Sequence, residues 1–212
     1  MNYIYQSLFV QSLPIKYQAA ISLSKMLSNE TATEFLKPHL HNILEVYLRI
    51  MEEIDSEELM SALEGIVEGY SEEIGPFAVQ LSQQLVNKYH SLTAETEGVN
   101  ADEHSDGEEE KMLAAAACVT AIRRIVDACS KDKNGLRQIL PIIYPILAHS
   151  LTEDGLDVID EGLDCINILI YNAYDQETRV PVELWKLLPR MIFITAGNDN
   201  DVDGGFCLEQ LS

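Results

Sequence analysis

Between Glu95 and Glu110 the chain places Glu95, Glu97, Asp102, Glu103, Asp106, Glu108, Glu109 and Glu110 within sixteen residues that contain no Lys or Arg. Such a run reads as a charged loop that grips other proteins. Three further patterns imitate metal or catalytic chemistry and fail on inspection. Asp199-x-Asp201-x-Asp203-Gly204 copies the start of a calcium-binding loop, but its twelfth position is Gln210, which cannot supply the second charge. His39-x-His41 could suggest a metal, but side chains two apart on a helix diverge. The four cysteines, at 118, 129, 165 and 207, form no C-x-x-C and have no histidines at zinc spacing. With no Ser-His-Asp, Cys-His or Gly-rich phosphate pattern either, the chain reads as a non-enzyme needing no metal or cofactor.

Composition points the same way. The 212 residues include 35 Asp plus Glu against 14 Lys plus Arg, a net charge of -21 with a pI near 4.4. That field repels phosphate backbones and anionic lipid, so direct nucleic-acid binding and membrane insertion are excluded and basic proteins are favoured. The plainer reading is that acidity keeps the chain soluble. No segment reaches the roughly 18–20 apolar residues of a membrane span, and Met1 to Val10 lacks the basic start of a signal peptide. Cys118 and Cys129 share one helix face and read as small packed apolar groups, and the compartment reads as reducing. Asn29-Glu30-Thr31 then reads as a helix ending, not a glycosylation site.

The elements that must position these groups are helices. Apolar residues recur at helical spacing from Ile15 to Leu27, Leu36 to Ile54, Leu59 to Ile74, Phe77 to Leu92, Met112 to Cys129, Leu136 to Leu151, Leu156 to Ile170 and Val182 to Ile194. Pro38 and Pro76 stand in the first turns of helices, 38 residues apart. Asp55-Ser56-Glu57-Glu58 and Thr152-Glu153-Asp154 open helices with capping side chains and acids that suit the dipole. Two repeats of about 40 residues plus an insertion account for their separation, and that period is the signature of HEAT or armadillo units. The expectation is an all-α fold, a right-handed α-solenoid of about four to five HEAT repeats. Residues 1–212 would form a partial array, an internal slice interrupted by an acidic disordered loop at about 93–110. A compact helical bundle is the competing architecture.

The helix after Asp55 puts Glu57, Glu58, Ser61, Glu64, Glu68 and Glu72 on one stripe, and the helix after Asp154 does so with Asp157, Glu161 and Asp164, flanked by Asp160. Both are second helices of their pairs, expected to line the inner groove. A solvated surface usually carries i,i+4 Glu–Lys pairs, and these stripes carry almost no basic residues. The cargo-binding candidates are therefore Glu57, Glu64, Glu68, Glu72, Asp157, Glu161 and Asp164. Arg123 and Arg124 either hold the acidic loop or a neighbouring helix, or serve as plain surface. Trp185, among Leu184, Leu187 and Leu188, reads as core.

Leu13-Pro14-Ile15-Lys16, Phe35-Leu36-Lys37-Pro38-His39-Leu40, Tyr70-Ser71-Glu72-Glu73-Ile74 and Trp185-Lys186-Leu187-Leu188-Pro189 together resemble the importin-β superfamily, in its importin-seven/eight branch. The resemblance implies HEAT repeats, import of basic cargo such as histones and ribosomal proteins, passage past FG nucleoporins, release by the GTPase Ran, and residence in cytoplasm, nucleus and the pore. Family members are several times longer, and their principal Ran-binding surface lies in repeats outside this stretch. A generic HEAT scaffold subunit of an enzyme complex is the alternative.

Overall fold

A computed structural model describes residues 2–96, 106–174 and 179–197. The described chain runs α1 (Asn2–Ser7), α2 (Leu13–Lys25), α3 (Glu30–Leu36), α4 (Leu40–Glu53), α5 (Glu57–Gly69), α6 (Ala78–Thr96), α7 (Asp106–Ala128), α8 (Lys133–His149), α9 (Ile159–Ala173), α10 (Val182–Trp185) and α11 (Leu188–Gly197). Local chemistry explains the boundaries. Ser56 caps α5 by accepting from the Leu59 amide, and Asp132 caps α8 by accepting from the Asn134 amide. Pro38 and Pro76 sit in short 3-10 turns that lead into α4 and α6, where a missing amide hydrogen costs nothing.

The helices stack in two layers. One layer is α4, α6 and α8, each packed on the next alternate helix; the other is α2, α5, α7 and α9. Hairpins α4–α5, α6–α7 and α8–α9 join the layers, so each helix meets its hairpin partner and its like-numbered neighbours. This is an all-α solenoid of two-helix HEAT-type repeats. Its core is one continuous apolar strip, contributed by both layers, from Leu8 to Met191. Ile43, Leu63, Ile66, Leu85, Ile125, Ile139, Ile143 and Leu169 have no exposed surface, and their helical spacing is the pattern that forces the stacking.

Directional bonds fix the register between layers. The buried Tyr47 hydroxyl of α4 donates to the Ala20 carbonyl of α2 at 2.5 Å, and Tyr70 donates to the Thr33 carbonyl at 2.8 Å. Arg137, early in α8, donates to the last carbonyl of α9, Ala173, at 2.8 Å, where a cation also suits the helix dipole. The turn between α8 and α9 is the tightest approach. A Cβ on Gly155 would stand 2.1 Å from the His149 carbonyl oxygen, and one on Gly162 would stand 2.1 Å from Ser150 Oγ.

Several expectations shift. The single helix expected from Val182 to Ile194 divides into α10 and α11, because Pro189 bars an amide bond and disfavours helical geometry just before it. Trp185 is 59% exposed, not core; Leu184 and Leu187 take the inward positions and turn the indole outward. Asn29 closes a 3-10 turn but also opens α3, its side chain accepting from the Ala32 amide at 3.2 Å. Thr152 precedes a 3-10 turn, Glu153–Val158, and donates to the His149 carbonyl instead of capping. Helices also claim part of the acidic stretch: Glu95 lies in α6, while Asp106, Glu108, Glu109 and Glu110 open α7. Glu97, Asp102 and Glu103 fall outside the described residues, as does the calcium-like run from Asp199 to Gly204.

Candidate functional site

The outer face of the α5–α7–α9 layer carries the α5 and α9 acids, while α4 in the other layer exposes Arg49, Glu52 and Glu53. On α5, Glu57, Ser61, Glu64 and Glu68 project away from Leu59, Leu63, Ile66 and Val67, which are buried. On α9, Asp160, Glu161, Asp164 and Asn167 oppose the buried Cys165, Ile166 and Leu169, and Tyr171 ends the row with 73% of its surface exposed. Between them α7 presents Thr120, Arg123, Arg124 and Asp127.

Arg123 and Arg124 settle their two open readings by reaching in opposite directions. Consecutive residues on a helix diverge by about 100°. Arg124 Nε therefore meets Glu64 of α5 at 2.8 Å, while Arg123 reaches Asp164 of α9 at 3.4 Å. Glu64 holds Arg124 above its already high ordinary pKa, the hydrogen bond being the largest cause. The acidic stripes are thus partly neutralised, by the neighbouring helix rather than along their own. At the edge of the layer Lys25 of α2 pairs with Glu58 at 3.3 Å. Among the described residues, Glu57, Glu68, Asp157 and Glu161 form no ion pair.

Two of the expected positions lie off the stripes. Glu72 follows the end of α5 at Gly69 and sits in an exposed turn near Lys37, which pairs with Glu73. Asp157 belongs to the 3-10 turn before α9, whose three-residue period displaces it from the α9 row. It faces a cleft against the start of α7 instead.

The opposite layer differs. α6 exposes Gln80, Gln83, Asn87, His90 and Ser91, and α8 exposes Gln138, Pro141 and Pro145. Its Lys88 turns inward to pair with Asp55, just ahead of α5.

The described cysteines are sequestered, and Cys207 lies outside the described residues. Burial pushes the Cys118 thiol up to about 12 and Cys129 to about 11, and raises Cys165 further. His39 and His41 part as expected, one beside Tyr5 at 4.6 Å and the other stacked on Phe77 at 5.6 Å between ring centres. Among the described residues no group of three acids, histidines or cysteines could hold a metal ion, and no helix is long and apolar enough to cross a membrane.

Known proteins resemble this chain over most of its length. It is 29% identical to "Importin beta-like SAD2 homolog" of Arabidopsis thaliana over 180 residues, 85% of this chain and 17% of that protein. Against "Probable importin-7 homolog" of Dictyostelium discoideum it is 27% identical over 180 residues, 85% of this chain and 16% of the relative. Against human "Importin-8" it is 23% identical over 179 residues, 84% and 16% respectively. The likeness is to importin-β-type proteins, in order and over most of this chain. No family model matches it, and no solved structure does. It spans about a sixth of the length of these relatives.

Within this array, the two arginines bind one repeat to the next. Sequence periodicity placed the acids on α5 and α9 but gave no partner for them. Adjacent Arg123-Arg124 on a helix flanked by acidic helices was the available signal, since two such residues must point to different sides.

Proposed function

We propose that this chain is part of a nuclear transport receptor, and that the outer face of its α5–α7–α9 layer binds basic protein cargo such as histones and ribosomal proteins. Two things support the reading: the likeness to importins over 84–85% of the chain, and carboxylates left without basic partners on that one layer. The single observation that carries the cargo face is the set Glu57, Glu68 and Glu161, all unpaired beside a balanced Arg pair. In the whole receptor this face would line the inner curve, cargo would cross the pore past FG nucleoporins, and Ran would release it. The receptor would then shuttle between cytoplasm and nucleus.

Magnitudes fit weak, distributed binding. An exposed ion pair contributes roughly 0.2–1 kcal/mol, and salt screens such pairs beyond about 8 Å at physiological strength. Affinity would come from many repeats acting on one cargo. The test is charge reversal of Glu57, Glu68 and Glu161 together, read by pulldown and fluorescence anisotropy with a core histone. A drop of about tenfold or more is expected, from three such pairs. Undiminished binding would remove the cargo face from α5 and α9.

A further inference from the structure

A cleft of about 120 Å³ opens where the end of α6, the start of α7 and the 3-10 turn before α9 converge. Leu92, Met112, Ala116 and Val158 give it apolar walls, and the exposed carboxylates Asp154 and Asp157 stand on its rim. Its polar depth is closed: Tyr89 Oη and His149 Nδ1 bond each other at 2.8 Å. Lys111 also lines the cleft and is itself engaged in an interaction. Two carboxylates against one ammonium leave this lining net negative, and Glu109 and Glu110 are exposed on the turn just before it.

We propose that this cleft takes a lysine side chain from a basic partner protein. A lysine has an unbranched four-carbon stem suited to apolar walls and a compact terminal charge that stays near water. Here the stem lies against Leu92, Ala116 and Val158, and the ammonium meets Asp154 and Asp157 at the rim. Asp157 thereby acts away from the α9 row, as half of a pocket for one residue. The inference rests on the basic-cargo reading above, and names the side chain that one position of this layer's edge selects.

The experiment measures anisotropy of labelled lysine-rich, arginine-rich and norleucine-substituted peptides on the full 212-residue chain. Ala116→Leu fills the cleft, and Asp154→Asn with Asp157→Asn removes its charge without touching the core. Each should weaken the lysine peptide about fivefold, the scale of one good exposed pair with its buried stem. The arginine peptide should be unaffected by Ala116→Leu. Thermal melts confirm that both variants fold; if Ala116→Leu does not, the Asp pair alone decides. Lysine-peptide affinity unchanged by the Asp pair overturns the cleft, as does equal loss for lysine and arginine or full retention with norleucine. If those variants bind normally while reversal of Glu57, Glu68 and Glu161 abolishes binding, the cargo face survives and only the cleft fails. A wild-type chain that binds no basic peptide overturns both.

Discussion

The two layers of this solenoid bury the same kind of side chain and show solvent different ones. α6 and α7 form one hairpin and share one core, yet α6 presents Gln83, Asn87 and Ser91 while α7 presents Arg123, Arg124 and Asp127. Apolar periodicity therefore explains why the helices stack, and it does so equally for both layers. Charge placement is a separate decision written on the outer faces. Among the described residues the α5–α7–α9 layer sets two arginine bridges between neighbouring helices beside unpaired acids, whereas α6 and α8 show mostly amides, prolines and a serine, and that contrast separates packing from use.

The strongest way to break the contrast is through the shared core. Ile43→Ala in α4 and Ile66→Ala in α5 each remove a fully buried side chain and should each cost about 2–5 kcal/mol. Denaturant unfolding checks this; a large loss from one layer alone would show that the layers do not fold as a unit. Next comes alkaline pH, which also acts on both. Cys118 on α7 rises from 9.0 to about 12 and Tyr89 on α6 from 10.0 to about 12, burial being the main cause in each. In this window the unfolded chain loses protons that the folded chain keeps. Stability is thus fully present below about pH 9 and declines as pH climbs toward 12, a trend that melting temperature against pH should follow. Cys118→Ala should make that decline shallower without abolishing it, because burial also raises Cys129 and Cys165.

The smallest effects sharpen the comparison instead. Arg124→Gln strands Glu64 between repeats and should cost about 1 kcal/mol, while His41→Ala breaks an exposed i,i+4 contact with Glu45 on α4 and should cost under about 0.5 kcal/mol. Chemical denaturation resolves the two. Equal losses would mean that the charged layer gains nothing from its inter-repeat pairs.

Much of the fold was legible because helix patterning is local. Leu36 to Ile54 and Leu136 to Leu151 show their buried faces within a few turns of sequence; α8 follows the second closely, while a 3-10 turn at Lys37–His39 delays α4 to Leu40. What escaped depends on chain segments far apart or on small geometric shifts. Glu64 and Arg124 are separated by 60 residues, so no local pattern pairs them. Asp157 keeps helical spacing from Glu161 in sequence, and a 3-10 turn moves it to a different surface. Trp185 shows that an aromatic among leucines need not be buried: Leu184 and Leu187 already fill the inward positions, and the indole is what remains. The candidate surface was readable as a set of acids, and its balance was not.

The guanidiniums of Arg123 and Arg124 join three successive helices, and neither ties a helix to its own hairpin partner. Ionic strength thereby becomes a mechanical variable for this array. Salt would weaken these two bridges while the apolar core that stacks the helices is left in place. A cationic visitor competing for Glu64 or Asp164 would displace the same two bridges from outside.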